Sequence, residues 1–404
     1  EGGTHEEQVK FYTDLFHVLC GRSKISDADG KYLDNTWGAQ RVGQLPLDRA
    51  GKPVYNMYNY DALWLNQWTL NTVLGMAYPD VYEEFVQSQL RMYQDGGILP
   101  RGPSAGNYSF VMTSATAIPF IVSAYNKGIQ GFDIGLAYDA MVDAASVGGL
   151  YDKSGYEYRT WDGTGGALEY MTMGYVPYDM EGGQNHNDGA SNTMELSYED
   201  YCIAQIARQL GRTGVNIAQT AKVKASSEKA GPNEEYYSAR RAIDGRPRRS
   251  GLTTDRGAYN VEWASREANP WIELSWDTPQ TVNKVVLSDR LASGSFVNSG
   301  VIRFSDGTQI DVTDLPHDGS DQTVAFDPKT IEWLRFEVTG GTGREVGLNE
   351  IEVWNTEDAY TYYMDRSSNW KNLYDDSGFI RPKGKDGNWL EDFDPLDTNQ
   401  FSTV

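Results

Sequence analysis

The carboxylate best placed to do chemistry is Glu195, in the run SNTMELSYED. The pattern predicts a helix beginning after Ser197, with Ser197 and Asp200 as its capping box, so that Glu195 stands just ahead of it. Between Met194 and Leu196 a carboxyl would be partly desolvated. Desolvation raises its pKa and suits it to donate a proton near neutrality, while the helix dipole pulls the other way. From local sequence alone, the plainer role of complementing that dipole is the stronger reading. Other motifs point elsewhere and fail. Gly102-Pro103-Ser104-Ala105-Gly106 fits the nucleophile-elbow pattern, but that needs a strand before and a helix directly after, and the flanks here read helix, loop, helix. His5, His17, His186 and His317 offer no metal spacing. Asp27-Ala28-Asp29-Gly30 starts like a calcium loop, yet its glycine comes too early and the distal glutamate is missing, so a polar turn is expected.

Composition narrows the partners. Lys and Arg number 35 against 57 Asp and Glu, a formal charge of −22, which argues against nucleic acid and anionic lipid. The longest basic cluster, RRAIDGRPRR from Arg240 to Arg249, reads as a solvated loop. No run of eighteen apolar residues occurs and the start, EGGTHEEQ, is polar, so neither a membrane span nor a signal peptide is expected. Cys20 and Cys202 are too few for a disulfide framework or a Cys-rich zinc site. The 11 Trp, 26 Tyr and 13 Phe, set among many carboxylates, are the composition of sugar-handling surfaces, although large cores use aromatics too.

The elements that must position Glu195 read as helices. Thr4 and Glu7 form a capping box, Val9, Tyr12, Phe16 and Leu19 share one face, and Gly21 closes the first helix. A second helix is expected from Asp61 to Ala77, carrying Leu63, Leu70, Val73 and Leu74 and ended by Pro79. Asp80 would cap a third, with Tyr82, Phe85, Val86, Leu90 and Tyr93 buried before Gly96-Gly97. Two more run from about Val111 to Lys127, where Pro119 marks a kink or the true start, and from Asp133 to Val147. A long aromatic loop from Gly149 to Met194 follows, then the helix with Ile203, Ile206, Ala207 and Leu210 in its stripe, closed by Gly211.

At about Thr213 the period changes to alternation. WIELSW, KVVLSDR, VIRFSDGTQIDV, WLRFEVTGG and IEVWN read as strands, with a hairpin turn at Asp306-Gly307. Near Glu357 helical spacing resumes in DAYTYYMDRSSNWKNLY. The organisation expected is residues 1–212 helical, 213–357 an inserted all-β module, and 358–404 a return to the helical part; such insertion is tolerated where the module's ends lie close together.

The runs FYTDLFHVL, SDADGKY, GGILP, AYNKGIQGFDIGLAYDAM, GYVPYD, NTMELSYEDYCIAQIARQLG and RSSNWKNLYDDSGFIRPKGKDGNW resemble successive blocks of glycoside hydrolase family 92, exo-acting α-mannosidases. That resemblance implies an (α/α)6-barrel catalytic part, calcium (Ca2+) as cofactor, inversion at the anomeric carbon, mannose-containing glycans as substrate and an extracytoplasmic location. It implies Glu195 as the general acid, Asp61 as a hydrogen-bonding partner of the terminal mannose and Tyr60 as a stacking wall. Three positions depart from the family: the arginine expected after Asp61 is replaced in ALWLN, Gly102 stands where tryptophan is common, and Thr116 where histidine is common. The β-module resembles a coagulation factor V/VIII type C (discoidin-like) domain, through AIDG at Ala242 to Gly245, EWAS, WIELSW and LNEIEVW. Such domains often bind sugars; Trp263 and Trp271 read here as core or strand-packing residues, and the module is assigned no site.

Inversion needs a second carboxylate roughly 6.5 to 9.5 Å from the acid. The resemblance places it in a run that this chain lacks, and seven helical segments fall short of twelve. The expectation is an incomplete barrel whose general base, N-terminal β-sandwich and further barrel helices belong to the rest of the same enzyme. Two alternatives stay open: a non-catalytic glycan-binding or adhesion protein on a degenerate glycosidase scaffold, and a hydrolase of the same fold with a different sugar specificity.

Overall fold

In the computed structural model the described residues are 2–59, 63–64, 66–112, 114–153, 166–180, 189–229, 237–245, 262–292, 294–394 and 396. They divide into two compact units, one up to Ala144 and one from Ala145 onward. The boundary falls inside the stretch read above as one helical part, 1–212. Its physical reason lies in residues 145–153, which bond to the helix carrying Glu195 and to the segment leading into the sheet.

The first unit opens with α1 (His5–Leu19), whose capping box forms as expected: Glu7 N donates to Thr4 Oγ1 at 3.2 Å and Thr4 N donates to Glu7 Oε2 at 2.6 Å. Its apolar face forms too, but no residue of α1 is buried. A small hairpin follows, β1 (Lys31–Asp34) with β2 (Arg41–Gln44), closed by a buried carboxylate: Asp34 accepts from Thr36 and Arg41. Helix α2 covers only Leu70–Ala77, because the described residues ahead of it turn, Asn66 N reaching Leu63 O and Asn71 N reaching Asn66 O. Leu63 is buried without being helical.

Proline changes two boundaries. α2 ends at Ala77 as expected, and Pro79 itself begins α3 (Pro79–Gly96), since its fixed φ and missing N–H suit the first turn. Asp80 therefore sits in that turn instead of capping it. The expected face, Tyr82, Phe85, Val86, Leu90 and Tyr93, is buried, and Gly97 ends the helix at φ +79°. α4 (Ala117–Asn126) starts six residues later than expected, with Pro119 in its first turn. α5 (Ile134–Ala144) follows. Tyr82 and Tyr93 tie α3 to these two helices, Tyr82 Oη donating to Phe120 O at 2.8 Å and Tyr93 Oη to Asp143 Oδ2.

In the second unit the stretch read as a loop carries two short helices, α6 (Leu150–Lys153) and α7 (Ala167–Met173). Then comes the 22-residue α8 (Gly189–Leu210). The helix thus starts eight residues before Ser197, and the Ser197–Asp200 capping box does not exist. Ser197 Oγ instead donates back to Thr193 O at 2.6 Å, and Asp200 is engaged across the core. Local side-chain bonding of serine is compatible with either role, and tertiary contacts decide it.

The β strands are β3 (Lys222–Ala225), β4 (Trp271–Asp289), β5 (Phe296–Phe304), β6 (Gln309–Thr313), β7 (Asp321–Thr342) and β8 (Leu348–Asn355). They make one antiparallel sheet in the order β3-β4-β7-β5-β6, with β8 on β4. WIELSW and KVVLSDR join into β4, with register shifts between Ser275 and Gln280 and between Val282 and Lys284; a proline, Pro279, sits in the first. Ile272 and Leu274 from one half and Val285 and Leu287 from the other face a single core around Trp263. The β5–β6 turn forms at Asp306-Gly307, Gly307 at φ +85°. Trp263 is fully buried and Trp271 half-buried under the Arg335 guanidinium at 4.2 Å, which fits packing for both.

The chain enters and leaves this sheet side by side. Gly214 N donates to Glu357 O at 2.7 Å and Asn355 N to Val215 O at 3.0 Å, just before α9 (Ala359–Arg366), which Asp358 caps through Thr361 N. A Cβ at Gly347 would stand 2.1 Å from the Trp263 carbonyl oxygen, a clash with backbone that cannot swing aside. Gly347→Ala is expected to destabilise the β unit by about 1–3 kcal/mol in chemical denaturation; an unchanged midpoint would contradict this close approach.

Candidate active site

Glu195 lies in the second turn of α8, half-buried, between half-buried Met194 and buried Leu196. It is therefore inside the helix and not ahead of it, which removes the role of complementing the dipole at the first turn. One turn on, Tyr198 has its hydroxyl pKa pushed up, mainly by burial and in smaller part by the Cys202 and Glu195 side chains. Cys202 is buried and its thiol is pushed up to about 12 by burial, so it stays protonated and inert.

What holds α8 is a buried ion pair five residues beyond Glu195. Arg366 Nε donates to Asp200 Oδ2 and Nη2 to Oδ1, both at 2.9 Å, with Asp200 fully buried. Tyr170 Oη donates to Asp200 Oδ2 at 2.8 Å. Tyr151 Oη lies 3.1 Å from Asp200 Oδ1 and 3.2 Å from Leu196 O, the carbonyl next to Glu195. The guanidinium sits 5.3 to 5.9 Å from the ring centres of Tyr151, Tyr170, Tyr362 and Tyr363.

The charges are consistent with that arrangement. Burial pushes the Asp200 carboxyl upward, opposed by Arg366 and by the two tyrosine hydroxyls. Burial works against the Arg366 charge, but Asp200 together with the Tyr362, Tyr170 and Tyr151 hydroxyls outweighs it, and the guanidinium holds its proton. Tyr151 and Tyr170 are held well above the ordinary phenol value by burial, so both remain donors. At the start of α8, Thr193 Oγ1 donates to Gly189 O at 2.7 Å and accepts from Val176 N at 2.9 Å, and Ser197 Oγ accepts from Trp370 N at 3.1 Å.

Of the residues singled out in the sequence, Glu195 is placed; Tyr60 and Asp61 lie outside the described residues. The rejected motifs keep their plain roles. Ser104 is exposed in a turn closed on Asn107, between α3 and α4. His5 and His17 are exposed on α1, and His317 Nδ1 lies 2.7 Å from Asp289 Oδ2; His186 is outside the described residues. Asp27 to Gly30 is a turn, Gly30 N donating to Asp27 O at 3.0 Å. The basic cluster departs from the solvated loop expected of it: its described start lies in a 3-10 helix, Ala239–Ile243, with Ala242 and Ile243 buried, and Arg240 spends its guanidinium on Gln219 O and Ala221 O. Among the described residues no group of three or more His, Cys, Asp or Glu side chains could hold a metal ion, and no helix is long and apolar enough to cross a membrane.

Sequence reasoning missed Arg366, Tyr151 and Tyr170. Arg366 stands in the run MDRSSNW, where a lone arginine on a short helix carries no local sign of a partner 166 residues away.

The model of the Glycosyl hydrolase family 92 catalytic domain matches residues 1–288 and 349–403, and the chain belongs to that family. Over 129 residues it is 32% identical to an uncharacterized secreted glycosidase of Arthroderma benhamiae, covering 30% of this chain and 16% of that protein. Two solved structures from Bacteroides thetaiotaomicron share its fold. A family GH92 α-mannosidase has 16% identity and a TM-score of 0.50, over 98% of this chain and 30% of its own. A family GH92 inverting mannosidase has 17% identity and a TM-score of 0.50, over 98% of this chain and 32% of its own. The chain thus spans less than a third of the length of these relatives.

Breaking the pair at Asp200 leaves a buried charge uncompensated, a change that costs about 3–5 kcal/mol. Arg366→Met is expected to lower unfolding stability by about that amount in denaturant titrations monitored by circular dichroism. A loss under about 1 kcal/mol would show that the pair behaves like an exposed one.

Proposed function

We propose that the whole protein to which this chain belongs is an exo-acting α-mannosidase that removes terminal mannose from glycans with inversion, outside the cytoplasm, and that Glu195 is its general acid. The observation that carries the reading is the half-buried carboxyl of Glu195 on a helix locked by the Asp200–Arg366 pair, in a chain of the Glycosyl hydrolase family 92 catalytic domain. A proton donor must be held in one place against the glycosidic oxygen. In this reading Glu195 protonates the departing oxygen while a water, activated by a carboxylate on the opposite face of the sugar, attacks the anomeric carbon. That base belongs to a part of the enzyme outside this chain, as do further helices of an (α/α)6 barrel. Asp61 would bind the terminal mannose and Tyr60 would stack on it. The discoidin-like character of the β-module is part of the same proposal.

Calcium belongs to the proposal for the whole enzyme only. The described carboxylates form no cluster fit to hold it, so no ligand is named and no step passes through it.

A variant of this reading, in which the hydrolase accepts a different sugar, is motivated by the departures from the family at the run ALWLN, at Gly102 and at Thr116. A non-catalytic glycan-binding protein is the remaining alternative.

Hydrolysis of α-mannobiose and α-1,2-linked mannan by the full-length protein, abolished by a chelator and restored by calcium, is the expected result. Binding without hydrolysis would favour the glycan-binding alternative, and cleavage confined to other aryl glycosides would favour the altered specificity. Glu195→Gln is expected to lose roughly a hundredfold or more in turnover on poor leaving groups while still binding ligand; undiminished turnover would exclude Glu195 as the acid.

A further inference from the structure

The geometry points to a role for the inserted β-module: it braces the acid helix, with Gln219 and Tyr151 as positioning residues that act on Glu195 through the backbone of α8. The inference rests on the reading of Glu195 as the acid.

The contacts run in an unbroken line. Gln219, in the turn that leads into β3, is 3% exposed, and its Oε1 accepts from Val147 N at 2.9 Å. Gly245 makes that approach possible: a Cβ there would stand 2.0 Å from Gln219 Nε2 and 2.7 Å from Val147 O. Val147 opens the segment that Asp152 rigidifies, its Oδ2 accepting from Gly148 N at 2.6 Å and its Oδ1 from Ala167 N at 3.0 Å. Tyr151 in that segment reaches α8, its hydroxyl 3.2 Å from the Leu196 carbonyl and 3.1 Å from Asp200 Oδ1.

The other end of the module returns to the same place. Beyond the closure of Gly214 on Glu357, α9 sends Arg366 into Asp200, and its Nη2 donates to Ala145 O at 3.4 Å. The segment 145–153 is therefore gripped by Gln219 before the sheet and by Arg366 after it, and through Tyr151 it reaches the carbonyl of Leu196, the residue after Glu195. A sugar-binding appendage would need only its termini stapled; a side chain from the module's own base, buried and spent on the backbone of the segment beneath α8, is what a brace requires. An acid displaced by a fraction of an ångström loses rate on substrates that need protonation and leaves ground-state binding largely unchanged.

Tyr151→Phe and Gln219→Met in the full-length enzyme remove the two hydrogen bonds while keeping side-chain volume. Each is expected to lower kcat on a poor leaving group by roughly tenfold with KM within about twofold, to affect an activated aryl glycoside much less, and to add nothing in a Glu195→Gln background. Each should also speed amide hydrogen exchange in the first turns of α8. Unchanged kcat and unchanged exchange would overturn the brace, as would an equal loss on both leaving groups that persists in the Glu195→Gln background, which marks general loosening of the fold. Faster exchange in α8 together with full activity of Glu195→Gln would leave the brace standing and sink the acid assignment, so the two failures are distinct.

Discussion

The bidentate pair between Asp200 and Arg366 is the constraint on which the second unit depends. It joins two helices, α8 and α9, that lie on opposite sides of the β-module in sequence. Taking both charges out of water is costly, and the pair is maintained because its acceptors are filled by the guanidinium fork and two tyrosine hydroxyls at once. Neutral packing of the same volume would hold the helices together as well. A fork that fits one carboxylate in one orientation also sets how α8 is rotated and how far along its axis it sits. For a helix that carries a candidate proton donor one turn and a half earlier, that specificity matters more than stability.

The two ends of the β stretch meet. Its first and last residues are held side by side by backbone hydrogen bonds, so the host chain continues almost where it left off. Its core is its own, closed around Trp263 by β4 and β7, whose register shifts let both halves of each long strand face the same apolar interior. Gln219 reaches beyond that core, giving its amide oxygen to the backbone of the neighbouring segment.

Much of this was legible wherever structure is decided within a few residues. The capping box of α1, the stripe of α3, the turn at Asp306-Gly307 and the change of period at Thr213 all depend on near neighbours, and all appear. The failures share a cause. Ser197 and Asp200 satisfy a capping motif, but Thr193 is engaged by Val176 N and Asp200 by Arg366, so the helix starts at Gly189. The turn at Asn66 to Asn71 starts α2 at Leu70, nine residues after the start that spacing suggests. Glu195 stood out through the resemblance of its run to the family, since its apolar neighbours alone favoured a plainer role, and the residues that hold its helix did not stand out at all. Arg366, Tyr170 and Tyr151 act across the fold, and nothing in their local sequence names the partner.

The central claim is that Glu195, fixed on a braced helix, must be protonated to act. The pH dependence of kcat/KM on an α-mannoside with a poor leaving group, compared between the full-length enzyme and the residual turnover of Glu195→Gln, addresses it most directly. The account predicts an alkaline limb in the wild type, where the acid loses its proton, and its disappearance in the variant, whose amide does not titrate. An alkaline limb that persists unchanged in Glu195→Gln would contradict the account.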